Sequence, residues 1–254
     1  MKTVLVTGAN GQLGQCIQKI APEYYNFDFV FKDSKQLDIT DTNIIDSTFS
    51  SNHFDFCVNC AAYTNVEQAE KTPEIAFEIN AKGVKNMALA CKEYKVALIH
   101  ISSDYVFDGD KIEPYNVEDL PNPINEYGKS KLKGEQFIQN ILEEYLIIRT
   151  SWLYSEFGNN FYTMVLRKAR NGEELHITDQ QTGCPTNANN LAKFILKTIL
   201  KNGMGYGVRH YTDGDAMTWY GFAKKIIEQE GLMVKILPKN YSSRVNRPKY
   251  SVLK

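Results

Sequence analysis

A glycine-rich turn marks the point where the first strand gives way to the first helix. Residues 3–7, Thr-Val-Leu-Val-Thr, are β-branched or apolar and read as a buried parallel strand. Gly8, Gly11 and Gly14 follow at G-x-x-G-x-x-G spacing, and Gln15 to Ile20 continues as a helix. Glycine permits the tight turn and lets the backbone approach a pyrophosphate, while the helix N-terminus offers free N–H groups to the anion. Gly8, Asn10, Gly11, Gln12, Leu13 and Gly14 are therefore assigned to a dinucleotide cofactor.

The rest of the first 150 residues repeats the strand–helix alternation, which requires a parallel sheet with right-handed crossovers. Phe27–Phe31 reads as the second strand, and Lys32, Asp33, Ser34 and Lys35 follow where a dinucleotide site reads the adenosine ribose. An acid there suits the 2′-hydroxyl of NADH and a cation with hydroxyls suits the 2′-phosphate of NADPH. With Lys32, Ser34 and Lys35 present the balance tips toward NADPH, with NADH tolerated. Asp38 and Ile39 are placed beside the adenine, and Thr40 or Asp41 caps the next helix. Phe54–Ala62 reads as a strand ending in small residues, which leaves room for the cofactor at Ala61, Ala62 and Tyr63; residues 63–67 form a loop on the ligand side. Pro73–Tyr94 reads as one long helix carrying Asn80, a polar residue with either a structural role or a place in a proton relay near the cofactor. Val96–Ser102 is the next strand, with His100 a satisfied core histidine and Ser103 a candidate donor to a carbonyl oxygen.

After a Pro-, Gly- and Asn-rich loop over residues 108–125, a helix runs from Tyr127 to about Tyr145. Tyr127 and Lys131 are four apart, so they share one helix face. A lysine ammonium beside a tyrosine favours the phenolate and equips it to exchange a proton with a carbinol oxygen. Leu146–Arg149 is one more strand. Beyond Thr150 the character changes to a basic helix ending near Arg170, a turn-rich loop over 179–186, an amphipathic helix over 187–201, a strand within 205–212 expected to return to the main sheet, and a helix over 218–231. The expected architecture is α/β: a Rossmann-type doubly wound parallel sheet in residues 1–150, with 187–211 returning to it, and a smaller C-terminal substrate-binding lobe in 151–254. Arg244 and Arg247 near the end are either solvent-exposed or paired with a substrate diphosphate.

Composition narrows the function. A formal net charge of -1 over 254 residues leaves no electrostatic footprint for nucleic acid or an anionic membrane. No apolar run approaches the ~20 residues of a membrane span. Met1-Lys2 leads straight into a core strand, so the chain reads as cytoplasmic. Its five cysteines, an odd number, argue against a disulfide framework. Cys57 and Cys60 form a C-x-x-C inside an apolar run with no second pair at zinc spacing, and read as small buried residues; no metal is expected.

The chain resembles the dTDP-4-dehydrorhamnose reductase family of extended short-chain dehydrogenases/reductases. The resemblance rests on Gly8–Gly14, on residues 59–70 (Asn-Cys-Ala-Ala-Tyr-Thr-Asn-Val-Glu-Gln-Ala-Glu), on Ser103-Asp104-Tyr105-Val106-Phe107-Asp108-Gly109 and on Tyr127-Gly128-Lys129-Ser130-Lys131. It extends through Arg149-Thr150-Ser151-Trp152, residues 158–161, Asp179-Gln180 with Gly183, Pro185-Thr186, and Arg247-Pro248. It implies a catalytic trio of Tyr127, Lys131 and Ser103, the last standing where the family often has threonine. It implies a substrate side formed by Asn65, Val66, Ser103, Asp104, Tyr127, Trp152 and Arg247, with Lys131 also reaching the cofactor's nicotinamide ribose. The implied reaction is reduction of the 4-keto group of dTDP-4-dehydro-L-rhamnose by NADPH, in a monomer or homodimer acting on a small-molecule nucleotide sugar. Two other classes remain: an epimerase or dehydratase of the same superfamily, against which Tyr105 stands where a dehydratase needs a glutamate, and a non-catalytic NADP-binding subunit, against which the intact trio stands. Family members usually continue some tens of residues beyond the Arg-Pro motif, so the C-terminal lobe is expected to be shortened.

Overall fold

The computed structural model describes residues 1–201, 205–239 and 245–254. Arg244 lies outside these described residues. A six-stranded parallel sheet forms the centre. Its strands are β1 (Lys2–Thr7), β2 (Phe27–Lys32), β3 (Phe56–Asn59), β4 (Ala97–Ser103), β5 (Tyr145–Thr150) and, after the short strands β6 (Leu153–Tyr154), β7 (Leu175–Ile177), β8 (Thr182–Gly183) and β9 (Thr186–Asn187), β10 (Gly207–His210). The order across the sheet is β10-β5-β4-β3-β1-β2. The direction of winding reverses between β1 and β3, so the ligand crevice opens at their carboxyl ends.

Helices cover both faces, and the period-two alternation of the strands shows why. Val4, Val6, Val58, Ile99, Leu146 and Ile148 face one side, where they meet Leu13, Cys16, Ile17 and Ile20 of α1 (Gln12–Ile20) and Leu191, Ala192, Ile195 and Leu196 of α8 (Ala188–Leu200). Leu5, Cys57, Leu98 and Ile147 face the other. There they pack on α2 (Thr42–Ser50), capped by Asp41 as expected, on α5 (Val84–Glu93) and on α6 (Glu126–Ile141). α8 spans Ala188–Leu200 and delivers the chain to β10, which pairs with β5 in parallel.

Outside the sheet, α7 (Phe161–Arg170) and α9 (Trp219–Gln229) pack with β7 around Val165, Leu175, Phe222 and Ile226. β11 (Met217–Thr218) pairs with β8, and β12 (Ile236–Pro238) pairs with β7. This third core is separate from the two that sandwich the sheet.

Four expected elements differ. The strand expected over 54–62 ends at Asn59, because the backbone of Cys60 and Ala61 leaves the sheet to pass beneath Gly8. The helix expected to run from Tyr127 to Tyr145 stops at Ile141, and Tyr145 instead opens β5 opposite Leu98. The helix expected over Pro73–Tyr94 is α4 (Pro73–Phe77), one π-helical turn (Glu78–Gly83) and α5. Asn80 sits in that turn and accounts for it. Its side chain accepts from Tyr63 N–H (2.8 Å) and donates to Tyr63 C=O (2.9 Å) and Ser130 Oγ (3.0 Å). Its carbonyl presses on α6 at Gly134, where a Cβ would sit 2.2 Å away. A π turn inside a helix commonly marks such a functional contact. Asn65, expected in a loop, is the cap of a short helix α3 (Val66–Lys71), accepting from Gln68 N–H at 3.0 Å.

Candidate active site

The groove at the switch point holds about 790 Å³. Gly8 and Gly11 form one wall, and Cys60, Ala61 and Ala62 another. Gly8 has φ +62°, and a Cβ there would lie 2.7 Å from Ala61 N. A Cβ on Gly14 would lie 2.6 Å from the carbonyl oxygens of Gly8 and Ala9. Only glycine fits either place. Gly11 caps α1 with no side-chain hydrogen bond, so the first N–H groups of that helix are left to an anion. These are the features a dinucleotide pyrophosphate requires, and the fit rests on them. Gln12 and Leu13 form the first turn of α1; Leu13 is core, and Gln12 Oε1 accepts from Asn160 Nδ2.

At the ribose end the lining passes to Asp33, Ser34 and Lys35, and Lys32 is not part of it. Lys32, the last residue of β2, instead gives its carbonyl to Ala9 N–H. Asp33 is occupied in shaping the turn: it accepts from Asn10 Nδ2 (2.6 Å) and from the backbone of Lys35 and Gln36. Asp38 and Ile39 line the groove, as do Ile75 and Ile79.

Ser103 closes β4 and Tyr127 opens α6. The Ser103 hydroxyl donates to Asp104 Oδ1 (3.0 Å) and accepts from Tyr105 N–H (3.1 Å). Burial pushes the Tyr127 phenol up, the Ser103 hydrogen bond works against that, and Asp104 and Tyr105 add to it. The Tyr105 and Tyr127 rings meet edge to face at 5.7 Å. Lys131 is not among these influences. Lys131 Nζ is turned under the end of the sheet, donating to Ile101 C=O (2.7 Å) and lying 3.5 Å from His100 Nε2. Burial pulls its ammonium down to about 8, opposed by Glu135 and Cys60.

Asp104 is buried, and its Oδ2 has no hydrogen-bond partner of good geometry. Burial pushes its carboxyl up to about 6, against the Ser251 and Ser103 hydroxyls. Raised above its ordinary value, this group favours folding at low pH, and the advantage is lost as pH rises through about 6. At pH 7.5 the ionised form therefore costs ~3 kcal/mol. Asp104→Asn is expected to be more stable than the parent at pH 7.5 by up to that amount, with the gap closing toward pH 4. Urea unfolding at both pH values measures it; equal stability at pH 7.5 would show the carboxylate to be solvated after all.

Arg247 donates to Tyr105 OH (2.9 Å) and to Glu67 Oε1 (2.8 Å), so its charge is already met by a carboxylate. Trp152 takes a left-handed backbone, φ +46°, and stacks on Trp219 with ring centres 3.6 Å apart. A Cβ on Gly183 would lie 2.6 Å from the same indole. One face expected to receive sugar or base is thus covered by Trp219, a residue the sequence reading passed over. Asn65 is exposed and Val66 half-buried at the head of α3.

Comparison with known proteins decides the family. The RmlD substrate binding domain model matches residues 1–254. The dTDP-4-dehydrorhamnose reductase of Aggregatibacter actinomycetemcomitans is 34% identical over all of this chain and 90% of its own length. The chain belongs to the dTDP-4-dehydrorhamnose reductase family. A further relative of this reductase family chain is the spore coat polysaccharide biosynthesis protein SpsK of Bacillus subtilis, 36% identical over 100% of this chain and 89% of that protein. The crystal structure of the Bacillus anthracis dTDP-4-dehydrorhamnose reductase in complex with NADP superposes with a TM-score of 0.96 at 39% identity, covering 100% of this chain and 91% of that one. In this reductase family chain the groove, Ser103, Tyr127 and Lys131 all lie at the carboxyl ends of β1, β3 and β4. Asn65, Val66, Trp152 and Arg247 lie on segments beyond the sheet.

Proposed function

We infer that the protein is an NADPH-dependent reductase that converts dTDP-4-dehydro-L-rhamnose to dTDP-L-rhamnose for polysaccharide synthesis. The observation that carries this reading is the family match over the whole chain joined to an intact, hydrogen-bonded Ser103 and Tyr127. Bound NADPH would supply the hydride to the C4 carbon. Gly8, Gly11 and the α1 N-terminus would hold its pyrophosphate, and Ser34 and Lys35 its 2′-phosphate, since Asp33 is already spent on the turn. NADH would be accepted less well.

Tyr127 is the proton donor to the developing alkoxide. Its buried phenol stays protonated at neutral pH, which is the state a donor needs. Ser103 releases Asp104 to donate to the keto oxygen and stabilises its charge as it grows. Lys131 would contact the nicotinamide ribose on leaving the Ile101 carbonyl to which its Nζ now donates. Asn65, Val66, Asp104, Trp152 and Arg247 form the sugar and nucleotide side, with residues 151–254, apart from the return to the sheet, serving as the substrate lobe. Binding energy from the nucleotide diphosphate positions the distant keto group. The enzyme acts as a monomer or homodimer in the cytoplasm, where its five free cysteines stay reduced. Among the described residues no helix is long and apolar enough to cross a membrane, and no cluster of metal ligands forms.

The test is NADPH oxidation in the presence of dTDP-4-dehydro-L-rhamnose, with the product identified by mass and chromatography. Turnover to dTDP-L-rhamnose is expected. Tight NADPH binding with no consumption would leave a binding protein and sink the reductase reading.

A further inference from the structure

Behind Lys131 lies a row of polar residues that the reduction does not explain. Thr7, Asn59 and His100 are fully buried. They stand side by side across the sheet: Thr7 is in register with Asn59 between β1 and β3, and Asn59 with His100 between β3 and β4. Three polar residues in register through the middle of a parallel sheet are costly unless every group is paired.

The pairing fixes the protons. Ala61 N–H can only donate, and it points at one terminal atom of Asn59 from 3.2 Å. That atom is therefore Oδ1, which also accepts from Thr7 Oγ1 at 2.6 Å. The other Asn59 atom is then the amide nitrogen, a pure donor, and it faces His100 Nδ1 at 3.1 Å. Nδ1 must accept, so it carries no proton. The imidazole is neutral, as burial and the nearby Lys131 also demand, and its single proton sits on Nε2. That Nε2–H points at Lys131 Nζ from 3.5 Å. An ammonium cannot accept from it; a neutral amine can.

We propose that His100 is a positioning residue for the reduction, locked by Asn59 and Thr7 in the tautomer that presents Nε2–H to Lys131. The inference rests on the reductase reading for its purpose, although the tautomer itself does not. The strut sets how the lysine leaves its inner station on the Ile101 carbonyl to reach the cofactor side. Three groups face Nζ besides Ile101: His100 from β4 and Cys60 after β3, with Glu135 one turn along α6. Glu135 favours the ammonium, and the His100 donor opposes it. Removing that donor should therefore let Lys131 hold its proton to higher pH.

Two measurements test this. In the intact protein labelled with ¹⁵N-histidine, the His100 signals should show a bare Nδ1 and a protonated Nε2 without change from pH 6 to pH 9. A proton on Nδ1 would overturn the proposal. In the second, His100→Asn keeps an acceptor for Asn59 and deletes the donor to Lys131, while His100→Gln places an N–H near the lost Nε2. The lysine-dependent limb of the pH–kcat profile should move up by about one unit in His100→Asn, and return toward the parent in His100→Gln. A uniform fall in kcat at every pH, with no moved limb and no rescue, would mean a packing role alone and would overturn it. If the asparagine variant does not fold, the spectrum still decides. The spectrum needs no sugar substrate, so an absent reductase activity would defeat the functional reading separately from this one.

Discussion

Tyr127→Phe is expected to lower turnover by about 10²–10⁴-fold, the usual contribution of a positioned proton donor, while NADPH binding stays nearly as in the parent. The substitution removes one hydroxyl and keeps the ring. The edge-to-face contact with Tyr105 survives, and Ser103 keeps its bonds to Asp104 and Tyr105 N–H. The glycine groove is formed by other elements and is untouched. The loss should therefore fall on kcat, with a small change in KM. Because burial holds the phenol protonated, Tyr127 ionisation should not limit the parent enzyme near neutral pH. Steady-state kinetics with a parallel NADPH titration separate the two effects. Activity within about tenfold of the parent would remove Tyr127 from the proton-donor role.

What the sequence disclosed and what it concealed divide along a physical line. The glycine turn, the alternating strands and the Asp41 cap depend on local rules, and each is where those rules place it. The return of the chain to the sheet at β10 was also readable, as a strand following an amphipathic helix. The π turn at Asn80 was not, because the groups Asn80 meets there, Tyr63, Ser130 and Gly134, lie on other segments, the last fifty-four residues downstream. Spacing put Tyr127 and Lys131 on one helix face, but spacing does not aim a flexible side chain. The lysine follows the Ile101 carbonyl and the His100 ring, which belong to a different strand. Likewise His100 reads correctly as a satisfied core residue, and only the register of β1, β3 and β4 reveals what satisfies it. The Trp152–Trp219 stack joins two residues sixty-seven positions apart, and no periodicity links them.

Arg149→Met is expected to destabilise the protein by ~3–5 kcal/mol, lowering Tm by roughly 10 °C for a chain of this size. Arg149 on β5 and Glu135 on α6 form an ion pair with almost no exposure. The guanidinium donates through Nη2 at 2.7 Å and through Nε at 3.1 Å, and Ser102 on β4 donates to the same carboxylate. The Phe107 ring lies 5.2 Å from the guanidinium. Removing the arginine strands a carboxylate where water cannot reach it. Replacing both partners, as Glu135→Leu with Arg149→Met, should recover most of the loss, since a buried pair repays little more than its own desolvation. The pair is therefore a poor device for stability and a good one for alignment. It ties three elements together directly beneath the site: Ser102 precedes Ser103, and Glu135 lies one turn beyond Lys131. The double variant should accordingly be stable and yet slower than the parent, because its charges no longer fix the ends of β4 and α6 against each other. Thermal unfolding and kcat measured on the same three proteins test both halves. A single-variant loss below about 1 kcal/mol would mean that the pair is solvated like a surface bridge, and full activity in the double variant would deny it any part in alignment.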